Sequence, residues 1–442
     1  MKANKMLYGL RAYVTFVVFS VFISLIVVSC KDNKEIPDPD PIYTKAALII
    51  RPAENVKITS ATIVAKVVPN ENETSVSFEY RTTTTDWITV ILPQTFSGKD
   101  TITLSSDLLD LNPKTYYRFR VKAKNKGGEV ISYEANFITT AYSLPAVVIK
   151  TIEKVTLTSA TVTAKLVTNE NDTQVSIEYK TSGSDWLVKS LPSTFNGKDS
   201  TTVTFDLTDL KLGTVYSFRL KAKNVAAEVV SSDSLFETYA VSDFDGNLYH
   251  TVKIGTQTWL KENFRGVHYA NGDAIANVTD ATIWLKLTTG AYCWYNNDSK
   301  IGEVYGGLYN WYVGADPRGL IVGWHVPVSD EIGDLTSFLG NYYVAGPALM
   351  EAGNTHWQYP VPRPGNNSTG FTALPNGYFV PETGTGKWLF MGLENDATLW
   401  TSDEAFGMGA TPVLMSIEDS SFNMGGIYPL KLGFGIRLLK NK

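Results

Sequence analysis

Two short runs hold the side chains best suited to chemistry. Trp294-Tyr295-Asn296-Asn297-Asp298 and Asn310-Trp311-Tyr312 set large aromatic rings beside amide and carboxylate groups. An aromatic face exposed in a shallow groove stacks against the C–H face of a sugar, and neighbouring Asn or Asp side chains bind its hydroxyls. Trp294, Tyr295, Asn297, Trp311 and Tyr312 are therefore a candidate ligand-binding set. The competing reading is that these rings are core, since large aromatics dominate burial in small, loop-rich domains. All four histidines, His250, His268, His325 and His356, fall in the same C-terminal stretch. His325, between Trp324 and Val326, reads as a satisfied structural imidazole rather than a general base. Asp243, Asp245 and Asn247 have the alternate spacing of calcium ligands, but no later bidentate carboxylate is assignable, so a turn is the better reading. The chain has no His-Glu-x-x-His and no Gly-x-Ser-x-Gly, and the stretch has Cys293 alone as a thiol. No catalytic residue, metal or cofactor is expected.

Cys30 poses a different kind of chemistry. Lys2, Lys5 and Arg11 precede an uncharged apolar run from Ala12 to Ser29, the order of a secretory signal peptide. The alternative is an uncleaved signal anchor, because the run approaches membrane-spanning length. Val27-Val28-Ser29-Cys30 resembles the lipobox of bacterial lipoproteins, which implies that the Cys30 thiol is acylated and becomes the first mature residue. Several acyl chains hold a protein stably on a membrane where one does not. Lys31 to Glu35, followed by Ile36-Pro37-Asp38-Pro39-Asp40-Pro41, is a charged and then proline-alternating tether. Its charged part is similar to signals that send Bacteroidetes lipoproteins to the outer face of the outer membrane. The expectation is residues 1–29 as signal peptide and 30–45 as tether, with the rest facing the exterior.

After the tether about 400 residues remain, enough for two to four domains. Hydrophobic content of 44% describes folded material, and a formal charge of −5 supplies no basic face for nucleic acid. With only two cysteines, the folds must stand on their cores rather than on a disulfide framework.

Residues 54–140 align without a gap with 153–239, at the offset of 99 residues that separates Trp87 from Trp186, and about half the positions are identical. A period near one hundred means a tandem domain rather than a solenoid. Within the first copy Ala61, Ile63, Ala65, Val67, then Val76, Phe78, Tyr80, then Tyr117, Phe119, Val121, Ala123 alternate with period two, which predicts half-buried strands and a two-sheet sandwich. The run Leu111 to Val121 resembles the tyrosine-corner segment of fibronectin type III domains, and the second copy keeps Leu210, Thr214, Tyr216, Phe218 and Arg219. Both copies have alanine, Ala65 and Ala164, where that family usually has a core tryptophan. The resemblance implies fibronectin type III-like sandwiches at 46–142 and 143–241. The expectation for them is a spacer that lifts the next domain off the membrane. Asp100-Thr101-Ile102, Asp199-Ser200-Thr201 and Asp233-Ser234-Leu235 also resemble short O-glycosylation motifs.

From residue 242 the composition shifts toward Gly, Trp and Asn, and eight of the 10 tryptophans lie beyond that point. Ordered blocks follow: Asp243 to Gly255 with an Asp-Gly turn, Ala291 to Asp298, Tyr305 to Tyr312, Gly323-Trp324-His325-Val326-Pro327, Gly370 to Tyr378, Trp400-Thr401-Ser402 and Gly433 to Arg437. This series resembles the Fibrobacter succinogenes major paralogous domain over 242–442. The resemblance implies an α+β module of C-type-lectin-like or formylglycine-enzyme-like pattern whose chain ends come together. Ser329-Asp330-Glu331 before Ile332, Leu335, Phe338 and Leu339 predicts a capped short helix within it. Relatives commonly have cysteines at the places of Leu320 and Leu438, so the resemblance implies an apolar pair in place of a staple. The whole chain is thus expected to be a non-enzymatic surface lipoprotein: two all-β sandwiches present an α+β module to an extracellular ligand, a glycan in the first reading. The alternative reading is a structural or assembly component of a surface protein complex or fimbria-like structure.

Overall fold

Alternation of apolar and polar side chains fixes which face of each strand turns inward, and the first repeat uses it throughout. In the computed structural model, which describes residues 41–358, 364–382 and 387–442, that repeat contains β1 (Ala47–Ile50), β2 (Ala61–Val68), β3 (Thr74–Arg81), β4 (Ile88–Phe96), β5 (Ile102–Leu108), β6 (Tyr116–Asn125), β7 (Gly128–Ile131) and β8 (Ala135–Ile138). One sheet runs β1-β2-β5; the other runs β4-β3-β6, with β7 and β8 each pairing one end of β6. Ile63, Ala65, Val67, Phe78, Phe119 and Val121, all fully or almost fully buried, come from both sheets into one core. The arrangement is a β-sandwich. Ala65 lies in that core without exposure, as Ala164 does in the second copy.

The second repeat rebuilds the same sandwich with β9 (Ala146–Glu153), β10 (Ala160–Val167), β11 (Gln174–Thr181), β12 (Leu187–Ser190), β13 (Thr201–Leu207), β14 (Val215–Lys223), β15 (Glu228–Val230) and β16 (Ser234–Glu237). Its registers are those of the first: Ser75 faces Lys124 in one and Gln174 faces Lys223 in the other. The tyrosine corner is formed twice. The Tyr117 hydroxyl accepts the backbone N–H of Asn112 and the Tyr216 hydroxyl that of Lys211, each at 2.9 Å. An ionic ladder is also repeated on the outer face: Arg120 Nε and Lys122 Nζ donate to Glu79 at 2.6 and 3.1 Å, and Arg219 and Lys221 donate to Glu178 at 2.8 and 3.2 Å. The guanidinium groups of Arg81 and Arg120 lie over the Trp87 ring, 4.3 and 4.1 Å from its centre, and Lys180 and Arg219 lie over Trp186 in the same way. Burial would raise Glu79 and Glu178, but hydrogen bonds and positive charge from these partners outweigh it and hold both carboxyls below the usual range.

The second sandwich and the C-terminal module form one compact unit, residues 141–442. Their junction is polar and aromatic. Lys261 pairs with Glu237 at 2.7 Å, Tyr239 lies 4.0 Å from the His250 ring, and the Ala240 N–H donates to Tyr249 O.

The module begins with the hairpin β17 (Val241–Ser242) and β18 (Leu248–Tyr249), followed by β19 (Thr251–Ile254) and β20 (Gln257–Leu260). The late strand Leu439–Lys440 inserts between β20 and Trp324–His325, so the early strands β19 and β20 and the last strand share one sheet. Short helices at Ala281–Trp284, Ser299–Tyr305, Trp311–Gly314, Ser329–Phe338 and Tyr342–Leu349 alternate with small sheets, an α+β mixture. In Ser329–Phe338, Ile332 and Leu335 are buried as the spacing predicts, whereas Phe338 is 64% exposed. Its first turn is capped by Glu331 reaching back to the Val328 N–H and by Asp403 accepting from the Ser329 N–H, rather than by Ser329 itself. Leu320 and Leu438 are both buried in the main core of the module. Among the described residues no helix is long and apolar enough to cross a membrane. Cys30, the signal segment and most of the tether lie outside the described residues.

Candidate functional site

The turn between β17 and β18 starts the site. Gly246 takes φ +81°, a conformation open to glycine at no steric cost, which lets the Asp243 N–H donate to Asn247 O. The Asp243 carboxylate then accepts from the backbone N–H and side-chain amide of Asn247 and from the Tyr249 hydroxyl, at 2.9, 2.8 and 2.7 Å. Burial, with Asp243 adding to it, pushes the Tyr249 phenol well up and keeps it a neutral donor. Asp245 accepts from the backbone N–H groups of Val267 and His268 and from His268 Nδ1 at 2.5 Å. These carboxylates are occupied by protein donors, and among the described residues no cluster of metal-ligating side chains forms. The turn reading of Asp243-Asp245-Asn247 fits this geometry.

Arg265 follows β20 and is drawn back over the hairpin. Its Nη2 donates to Leu248 O at 3.1 Å, its Nε lies 3.4 Å from Asn247 Oδ1, and its guanidinium covers the Tyr249 ring. Trp294 lines the same cleft, half-buried and edge-on to Tyr292 at 5.2 Å. The indole rests on the helix Ser299–Tyr305 at Gly302, where an added Cβ would come within 2.1 Å of the ring. Asp298 caps that helix through the Lys300 N–H. Asp245, Asn247, Arg265, Val267, Trp294, Ser299, Gly302 and Glu303 together line a cleft of about 260 Å³. An indole surface, a guanidinium, an amide, a hydroxyl and a carboxylate converge there, a set that binds a hydroxylated ring by stacking and hydrogen bonding.

Of the five residues singled out by sequence, only Trp294 lines this cleft. Tyr295, its neighbour, is 8% exposed and packs on Phe390 at 5.2 Å, because the 3₁₀ turn Tyr295–Asn297 sends adjacent side chains apart. Asn297 is exposed on that turn at φ +56°. Trp311 and Tyr312 are half-buried and in edge contact with each other at 5.9 Å, with the indole of Trp311 packed on the main core. Of the other tryptophans in the module, Trp259, Trp284, Trp324, Trp357 and Trp400 are buried and Trp388 is half-buried. Sequence reasoning missed Arg265, Ser299 and Glu303; the only advance signal was the polar alternation of Asp243, Asp245 and Asn247.

The other titratable groups are used internally. His325 bonds Asn441 through Nδ1 and Glu331 through Nε2, His250 pairs with Glu262, and His356 with Glu351. Cys293 is buried, and burial pushes its thiol well up, away from nucleophilic reactivity.

No curated protein sequence matches the chain. Similar solved structures include the sensor domain of the anti-sigma factor RsgI4 from Pseudobacteroides cellulosolvens, 24% identical over 22% of this chain and 98% of its own, with a TM-score of 0.19. The two fibronectin type III domain segment from chicken tenascin is 15% identical over 43% of this chain and 98% of its own, with a TM-score of 0.20. The FN1-FN3 domains of chicken CNTN1 are 15% identical over 42% of this chain and 65% of theirs, with a TM-score of 0.20. Residues 252–440 match the model of the family described as the Fibrobacter succinogenes major domain.

Proposed function

We propose that this protein is a lipid-anchored outer-membrane protein facing the exterior, whose C-terminal module binds a glycan in the Trp294 cleft. The observation that carries the reading is the half-buried indole held on Gly302 in a cleft that Arg265 and Asn247 also line. A ring surface of this kind pairs with the C–H face of a sugar, and the surrounding polar groups match its hydroxyls. In this reading the module has a C-type-lectin-like architecture, which the sheet shared by the early strands β19 and β20 and the last strand supports. The two sandwiches serve as spacers, and the protein acts by binding rather than catalysis. The lipobox-like Val27-Val28-Ser29-Cys30 supports the anchor. Cys30→Ser is expected to move the protein out of the envelope fraction.

The test is affinity electrophoresis of the full-length chain and of Trp294→Ala through gels carrying neutral and acidic polysaccharides. Retardation of the wild type by at least one polymer, abolished in the variant, is expected. Equal mobility of the two proteins in every gel overturns the glycan reading. Co-purification with a defined protein partner in its place would establish an assembly component instead.

A further inference from the structure

A second cavity, of about 180 Å³, opens where the strand Asp396–Leu399 pairs with Val413–Ser416. Phe434, almost fully buried, closes one side, and the rings of Tyr378 and Tyr428 both stand edge-on to it with centroids 5.8 Å away. Asp396 and Ser416 face each other across the two strands, and both line the cavity. Gly392 leaves room for that carboxylate: a Cβ there would lie 2.3 Å from Asp396 Oδ2.

No lysine, arginine or histidine among the described residues neutralises Asp396; the one charge acting on it is the carboxylate of Glu418, which repels it. A half-buried carboxylate with no counter-ion is costly to desolvate. Three aromatic residues, Tyr378, Tyr428 and Phe434, line the cavity with it, and aromatic rings attract cations through their negative faces. We propose that this cavity binds an organic ammonium group, with Asp396 as counter-ion and Tyr378, Tyr428 and Phe434 as the aromatic box. Its size admits a head group rather than an oligosaccharide. The cavity shares no lining residue with the Trp294 cleft, so the two proposals stand or fall separately.

Calorimetric titration of the full-length chain tests it with four probes: choline, glucosamine, Nα-acetyl-lysine amide and N-acetylglucosamine. Saturable binding of at least one ammonium probe is expected, with N-acetylglucosamine, which lacks the charge, at least about tenfold weaker. The strongest of the three cations identifies the source: a quaternary head group, an amino sugar or a lysine side chain. Asp396→Asn, close in shape, should weaken the amine about tenfold. Tyr428→Leu keeps the carboxylate and should weaken choline most, and a wild-type melting temperature in either variant separates lost binding from lost folding. Equal binding of glucosamine and its N-acetyl form, unchanged affinity in folded Asp396→Asn, or no response to any cation at millimolar concentration overturns the proposal.

Discussion

Replacing Arg437 with methionine tests whether a buried charge holds the module closed. The guanidinium is 1% exposed, and its Nε donates to Asn263 at 2.9 Å while Nη1 donates to Leu260 O and Phe371 O at 3.2 and 2.8 Å. It also covers the Phe371 ring at 4.5 Å. Burial pushes Arg437 down to about 9, with Glu262 opposing from a distance, so the group stays charged at neutral pH. Methionine fills much of the volume but removes three hydrogen bonds from a charged donor, each contributing roughly 1.5–3 kcal/mol. Removing a buried charge that lacks a paired carboxylate returns roughly 1–4 kcal/mol. The hydrogen bonds win, leaving a net loss of about 4 kcal/mol, or about 8–16 °C in Tm for a module of this size. The assay is thermal unfolding followed by tryptophan emission in a Trp87→Phe, Trp186→Phe background, where all remaining indoles belong to the module. Trp259, edge-on to Phe371 at 5.6 Å, is the nearest reporter. Arg437→Lys keeps the charge but not the fork and should also destabilise. A methionine variant that melts at or above the wild-type temperature would refute the reasoning, because the guanidinium would then be a burden the fold merely tolerates.

Gly302→Ala should tilt the Trp294 indole off its helix and abolish polysaccharide retardation, while crowding of roughly 1–3 kcal/mol is partly offset by about 1 kcal/mol of helix propensity; unchanged retardation would show that the indole's seat is irrelevant to binding. Tyr117→Phe strands the Asn112 N–H and should cost about 1–2 kcal/mol in denaturant unfolding, as should Tyr216→Phe in the second sandwich. Glu79 and Glu178 have folded-state pKa values below their unfolded ones, so their contribution is present above the unfolded carboxylate range and lost as pH falls through the folded values. Glu79→Gln and Glu178→Gln should therefore flatten the acid limb of the stability profile, and an unaltered acid limb in the double variant would show that the ladders are inert.

How much of this was legible in the sequence depended on how local the determining contact is. The alternation of Ala61, Ile63, Ala65 and Val67 predicts the inward face of β2 directly, and a gapless offset carries every strand register from one sandwich to the other. The Trp294 cleft is not local. Arg265 and Asn247 reach it from about 30 and 50 residues upstream through tertiary packing that no periodicity encodes. Tyr295 shows the same limit at shorter range: it reads like its neighbour Trp294, yet Asn296 at φ +51° turns the chain and the ring goes into the core. Arg437 stood at the end of a family-like block, but its three acceptors lie on segments remote in the chain.

The sheltered sulfur of Cys293 makes the module its own opening gauge. While the fold is closed, the atom is inaccessible and holds its proton, so a maleimide in the surrounding buffer meets it only during an excursion that parts the strands Ala291–Cys293 and Leu308–Tyr309. The pace of its alkylation then reports how often those strands separate.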